Sequence, residues 1–410
     1  MLKLPHRIGV FGVAVATALG LTACADNGSE ADTTHASTSE TASAQSGTSQ
    51  ARTADGAVTV TDAAGRTLQF NELPERIVLA EGRAAYATAL LQDEPLHNVV
   101  AYGQDLEKAA GAFRDKLFEL QPEAKDMPTI GMIQKGDVTV ENLLAQKPDV
   151  VIMTLDQKKA VEESGFLSDM DAAGLKYAFI DFRQKPLENT TVSMQLLGDL
   201  LGQSERAEKY NEFYNAKVKE ITDRVAETTD RPDVLIWMAA GFNDCCAVAG
   251  DANLGTLVTA AGGHNLGPEV LGADSTTITA EKLIELNPDK LIVTGGEWAR
   301  DPNRTDAVRH VELGYQSSPE LALQTCDGPL SQAGMDQLDA TKTGNYFAVY
   351  HQFYDNPYNV FALEAFAKWI HPEQFADLNP TQDFKDFHKE WLPFEYSGAF
   401  FIDPANPEES

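Results

Sequence analysis

Cysteine and histidine are scarce, four and eight in 410 residues, and none falls in a catalytic or metal-binding spacing. Cys245-Cys246 lacks the two-residue gap of a redox or zinc pair. His264, His310, His351, His371 and His388 are scattered, with no two a helical turn apart, and each reads as a surface or satisfied core residue. A Gly-x-Ser-x-Gly elbow, a Walker-type glycine loop and a His-Glu-x-x-His motif are all missing. These absences argue against an enzyme and call for no cofactor or metal. Basic residues are short too: 32 Lys and Arg face 62 Asp and Glu, a net charge of −30. That excludes nucleic acid and anionic headgroups as electrostatic partners and mostly describes a solvating surface. Past the N-terminus no hydrophobic run reaches the roughly 20 residues that span a bilayer.

What is present begins with an export signal. Lys3 and Arg7 precede an apolar run from Ile8 to Ala23, which ends in Leu21-Thr22-Ala23-Cys24. That ending resembles the lipobox of bacterial lipoproteins, with cleavage before Cys24 and acylation of its new N-terminus. Acyl chains hold a protein at a membrane without spanning it. Cleavage removes two positive charges and no acid, leaving −32. Ala25 to Asp55 is almost devoid of apolar residues and reads as a disordered tether reaching about 30 Å. An exported chain is free to form disulfides. Cys245, Cys246 and Cys326 remain, an odd number. Adjacent cysteines close a strained ring, so a bridge from Cys326 to one of the pair is expected, worth roughly 4 kcal/mol.

The folded part is organised around a stretch that occurs twice, Val138 to Ile152 and again Ile278 to Ile292. In each copy a Thr caps a short helix, a Glu sits in its first turn, and Pro-Asp hands over to a β-branched strand. Two copies about a domain-length apart point to two similar lobes with a ligand between them. Val58 to Leu68 reads as a hairpin. Strands at Ile77–Ala80, Asn98–Tyr102, Val150–Thr154 and Tyr177–Asp181 alternate with helical patterns, as in a mostly parallel sheet. Leu187 to Leu201 is helical, and Ser204 to Glu227 is a second, polar-rich helix of roughly 35 Å with no Gly or Pro hinge. The scheme then repeats, with strands at Asp233–Trp237, Leu291–Thr294 and Tyr346–Tyr350 and closing helices at Val360–Ile370 and Gln382–Trp391. Residues after Phe400 read as a tail.

The fold class is therefore α/β, two lobes of mostly parallel sheet joined by one long rigid helix, with a cleft between them. The expected plan is a signal peptide over 1–23, a lipidated tether over 24–55 and a first lobe over 56–186. A helical connector over 187–230 and a second lobe over 231–410 complete it.

The set of features resembles a known family. The lipobox and tether, Pro74-Glu75-Arg76-Ile77-Val78, Leu200-Leu201-Gly202-Gln203-Ser204-Glu205-Arg206-Ala207, Ala261-Gly262-Gly263-His264-Asn265 and both Glu-bearing repeats carry the likeness. The family is the substrate-binding lipoproteins of bacterial ABC importers for ferric siderophores, haem and vitamin B12, in its helical-backbone class. The likeness runs from about Val58 to the last helix. It implies a binding protein at the outer face of the cytoplasmic membrane, working with a permease and its ATPase. It also implies that Glu141 and Glu281 dock on permease arginines, although as plain first-turn acids they would only favour their helix dipoles. Exposed ion pairs of that kind steer an encounter more than they tighten it.

Ligands of parallel sheets bind at the carboxyl ends of the strands. That rule selects Glu81, Arg83 and Arg183 in the first lobe. In the second it selects Trp237, Glu297, Trp298, Arg300, His351 and Tyr354. Arginines and aromatics in a cleft suit a large, flat-faced, partly anionic guest such as a ferric siderophore. Haem is the nearest alternative, with His351 and Tyr354 as axial donors. Cobalamin belongs to the same class, and a surface sensor or adhesin on the same fold is a reading of another kind.

Overall fold

The computed structural model describes residues 57–242, 245–271, 276–299 and 308–409. Cys24, the export signal and the tether lie outside them, as does Arg300. Strands β1 (Val58–Thr61) and β2 (Thr67–Phe70) form the expected antiparallel hairpin. Then β3 (Ile77–Leu79), β4 (Val99–Gly103), β5 (Thr129–Ile130), β6 (Val150–Thr154) and β7 (Tyr177–Ile180) make one sheet. Its order is β5-β4-β3-β6-β7, with every pair parallel. Its middle strands are buried along their whole length, Ile77-Val78-Leu79 and Val150 to Thr154. That burial is why they read as unbroken apolar runs rather than alternating ones.

The second lobe holds β8 (Asp233–Met238), β9 (Ala247–Val248), β10 (His264–Asn265), β11 (Lys290–Gly295), β12 (Tyr346–Tyr350) and β13 (Phe401–Ile402). They run in the order β10-β8-β11-β12-β13, with β9 paired to β8. Strands β10, β8, β11 and β12 are parallel, and β13 closes the edge antiparallel to β12. The expected tail is thus a strand: Phe401 and Ile402 are buried and complete the sheet.

Between β7 and β8 the chain passes once from sheet to sheet, through helices Pro186–Leu200 and Ser204–Val225. The second, 22 residues long, is about 33 Å at 1.5 Å per residue. It buries Ala207, Tyr210, Tyr214, Ile221 and Val225, spaced three, four or seven apart on one face. Its polar side is tied down as well. Arg206 donates to the Leu90 carbonyl of the first lobe and the Trp391 carbonyl of the second, and Lys217 pairs with Glu364 at 3.2 Å.

The lobes also touch directly. Tyr86 of the first lobe stacks on Phe113 at 3.7 Å between centroids and meets Tyr358 of the second edge-on at 5.4 Å. The Tyr86 and Tyr350 hydroxyls are 3.0 Å apart, and Gln352 Nε2 donates to the Ala109 carbonyl at 2.8 Å. One continuous apolar cluster therefore runs through both lobes along the bracing helix.

The expected bridge from Cys326 does not form. Cys245 and Cys246 are joined to each other across a cis peptide bond, and Cys326 is a buried free thiol, its ionisation pushed up to about 12 by burial. Cys246 flanks β9, which pairs with β8, whereas the helix Pro319–Cys326 packs on β13. Strands β11 and β12 lie between β8 and β13, a separation of roughly 14 Å where a disulfide bridges about 6 Å between Cα atoms.

Candidate functional site

Seven strand ends converge where the lobes meet. From β3 the chain turns through Glu81, Gly82 and Arg83. Gly82 is required there, since a Cβ would sit 2.4 Å from the Gly103 carbonyl oxygen. Asp105, just past β4, clamps that turn: its carboxylate accepts the Gly82 and Arg83 backbone N–H at 2.8 and 3.0 Å and Arg83 Nε at 3.2 Å. Asp156 and Gln157 follow β6, and Arg183 follows β7. Opposite, Phe242 follows β8, Glu297 and Trp298 follow β11, and His351 to Asp355 follow β12.

The two arginines reach across the seam to one acid. Arg83 Nη2 and Arg183 Nη2 lie 3.1 and 2.5 Å from the same Asp355 oxygen, Oδ2. Arg83 is also paired with Glu81, and its Nη1 donates to Gln352 Oε1 at 3.1 Å and to the Tyr354 hydroxyl. Arg183 Nη1 pairs with Asp156 at 2.5 Å, and its Nη2 donates to the Tyr354 hydroxyl at 3.2 Å. Both guanidiniums also lie over the Tyr354 ring, 5.3 and 4.8 Å from its centroid. Arg83 and Asp355 are nearly inaccessible, while the Arg183 and Asp156 side chains keep 17% and 18% of their surface exposed.

Burial works against the charge on Glu81, yet Arg83 and Arg183 beside it outweigh burial and hold its carboxyl below the ordinary value. Asp355 goes the other way. Burial, with Glu81 and Asp156 adding to it, raises its carboxyl despite the two arginines. Both arginines stay charged, because the acids around them more than offset their desolvation. His351 is kept neutral, pushed down to about 3 by burial and then by the same arginines. Its Nδ1 lies 2.8 Å from Thr294 Oγ1, which also accepts the Ala239 N–H at 2.6 Å.

Beside this ionic cluster runs an aromatic wall. Phe242 and Trp298 are 4.8 Å apart, Trp298 and His351 5.0 Å, and His351 and Tyr354 4.7 Å. Trp298, His351 and Tyr354 are half-buried, and Phe242 is 39% exposed. Glu297 lies at the edge of the wall, its carboxyl pushed up to about 7 by burial although the Gln316 backbone N–H donates to it.

Of the residues expected at the cleft, Glu81, Arg83, Arg183, Trp298, His351 and Tyr354 are thus brought together. Trp237 is not. It points into the core of the second lobe with no exposed surface, because it is interior to β8 rather than beyond its end. Sequence reasoning missed Asp105, Asp156, Phe242 and Asp355. Their signal was available: each follows a strand, and two buried arginines need acids. The arginines meet the protein's own carboxylates, where the sequence suggested an anionic guest.

Glu141 and Glu281 are on the outside, one per lobe, in matching surroundings. Thr139 Oγ1 accepts the Asn142 N–H and Thr279 Oγ1 the Lys282 N–H, both at 3.2 Å. Each Glu is fully exposed and held below the ordinary carboxylate value by its own backbone N–H and the capping Thr.

A family model described as periplasmic binding protein matches residues 107–313. The chain is 19% identical over 289 residues to an uncharacterized ABC transporter substrate-binding lipoprotein, YvrC, of Bacillus subtilis, over 68% of this chain and 84% of that protein. Among solved structures it is similar to the TroA-like periplasmic binding protein FepB from Veillonella parvula. That match has a TM-score of 0.74 and 25% identity, over 84% of this chain and 99% of the other. It shares its fold with MolA of Haemophilus influenzae, solved with molybdate, at a TM-score of 0.61 and 17% identity over 83% of this chain and 99% of that one.

Proposed function

The chain belongs to the periplasmic binding protein family, and from that premise we propose that it captures a ferric siderophore and delivers it to the permease of an ABC importer. Family and relatives are binding proteins, not enzymes. The observation that carries the ligand assignment is the half-exposed wall of Phe242, Trp298, His351 and Tyr354 beside Arg183, at the carboxyl ends of both sheets. Flat aromatic surface with hydrogen-bonding groups at its edge suits a bulky chelate that must later be released. Cys24 acylation would hold the protein at the outer face of the cytoplasmic membrane. The relative described as a lipoprotein supports that placement, and no helix among the described residues is long and apolar enough to cross a membrane. Glu141 and Glu281 would dock on permease arginines, with the ATPase acting from the other side.

Haem has one observation in its favour, the neutral His351 ring, whose Nε2 has no hydrogen bond among the described residues. Tyr354 does not support it, since its hydroxyl already accepts from two guanidiniums. A titration followed by tryptophan fluorescence tests the assignment. Trp237, Trp369 and Trp391 are buried and Trp298 is half-buried, so a ferric chelate should quench the wild type and lose most of that quench in Trp298→Phe. Quenching by haem alone, with a Soret band, would refute the siderophore assignment.

A further inference from the structure

The charge balance at the seam says which iron complexes fit. Four carboxyls, Glu81, Asp105, Asp156 and Asp355, surround two guanidiniums, Arg83 and Arg183. Acids outnumber bases by two there, and His351 beside them carries no charge. Arg309, whose backbone adjoins Gly241, has its own acid in Glu312 at 4.0 Å. Among the described residues at the seam, no guanidinium is left without a carboxylate. Among the described residues, an anionic guest could gain Arg83 or Arg183 only by prising it from Asp355 or Asp156, leaving that acid with one arginine fewer in a buried site, which is among the costlier changes in a protein interior. The remaining field is negative, inside a protein whose net charge is −30.

Resting on the iron-carrier reading above, we infer that the seam selects ferric complexes of no net negative charge, neutral or cationic tris-hydroxamates, against tris-catecholates and carboxylate-bearing chelates including haem. Three hydroxamates each lose one proton and balance the ferric ion, giving a neutral complex. Three catecholates each lose two and give a trianion. The aromatic wall accepts either by apolar contact, so the acids make the distinction. Asp355 and Asp156 are the specificity-determining residues: Asp355 occupies the position that an anionic group would need, and Asp156 holds the exposed edge of Arg183. At an effective dielectric of about 20, a like charge about 8 Å away weakens binding roughly 30-fold.

The test is a titration of the full chain, at low salt and pH 7.5, with a neutral ferric tris-hydroxamate, a cationic one, a ferric tris-catecholate and haem. The two hydroxamates should bind at least about 30-fold more tightly than the trianion, and the gap should narrow in 0.5 M salt. Asp355→Asn should reduce the gap about ten-fold or more. Asp156→Asn, at the more accessible margin of the cluster, should reduce it by a smaller factor in the same direction, with a circular dichroism spectrum and melt matching wild type to show that the variant is folded. A tris-catecholate binding as tightly as the neutral complex overturns this inference while leaving the iron-carrier reading intact. So does a gap that neither substitution alters. If no ferric complex of any charge binds, the iron-carrier reading falls and takes the inference with it.

Discussion

In the first lobe the helix Val140–Ala145 leaves Leu144 43% exposed, beside a groove of about 640 Å³ lined by Val138, Glu141, Phe166 and Asp169. In the second lobe the helix Ala280–Leu286 carries Ile284 at the same place, and the turn at Gly334 to Gln337 lies over it. The buried anchors Leu143 and Leu283, the Thr caps and the exposed Glu residues are common to both. The strands that follow diverge at their ends. Thr294 Oγ1 joins the Ala239 N–H to His351, whereas Thr154 Oγ1 is buried with no hydrogen-bond partner among the described residues. Three residues further on, Gln157 donates to Glu81 in one lobe and a half-buried acid, Glu297, stands in the other. What the copies share builds a lobe and presents a carboxylate. Where they differ, each lobe has been fitted to its own neighbours.

Substitutions that break the resemblance should have graded effects. Replacing both Glu141 and Glu281 with Ala should lower uptake into cells ten-fold or more while the ligand affinity of the purified chain stays unchanged, because two exposed charges orient an encounter without holding the guest. Uptake at the wild-type rate would remove the docking role. Gly334→Val should cost about 3 kcal/mol in urea unfolding. Its φ of +89° is unfavourable for a branched residue, and a Cβ would lie 2.3 Å from Ile284 Cδ1.

The two threonines sharpen the contrast. Thr294→Val should lose about 1–3 kcal/mol, because it strands the Ala239 N–H, while Thr154→Val should be neutral or slightly stabilising by the same urea assay. Equal losses would mean that the lobes treat these hydroxyls alike. The smallest effect makes the second lobe resemble the first, through Glu297→Gln. With its folded value raised to about 7, the Glu297 carboxyl contributes stability that is fully present below its unfolded value of about 4.5 and lost as pH rises through 7. The variant should therefore gain about 1–2 kcal/mol over wild type on going from pH 5 to pH 8, and thermal melts at the two pH values would read it.

Much of this architecture is legible in the sequence, because a strand buried on both faces must be apolar throughout and a capped helix announces its start. Ile77 to Leu79, Val150 to Thr154 and the bracing helix from Ser204 all lie where their patterns put them. Phe401-Ile402 was opaque, since two residues give no periodicity and their burial depends on β12, fifty residues earlier. The cysteines were opaque for a related reason: pairing is decided by strand order, which places Cys246 and Cys326 towards different ends of the sheet. At the site, the arginines could be placed by the strand-end rule but their partners could not. Asp105 and Asp355 come from loops 250 residues apart and are brought together only by their shared partner Arg83.

Central to all of this is a guest held at the strand ends, against the half-exposed aromatic wall of one lobe and beside Arg183 of the other. Anomalous scattering at the iron edge, from crystals of the full chain loaded with a ferric tris-hydroxamate, tests that position directly. The account expects a single iron peak between Trp298 and Arg183. A peak on the outer face of either lobe, or in the groove beside Glu141, would contradict it.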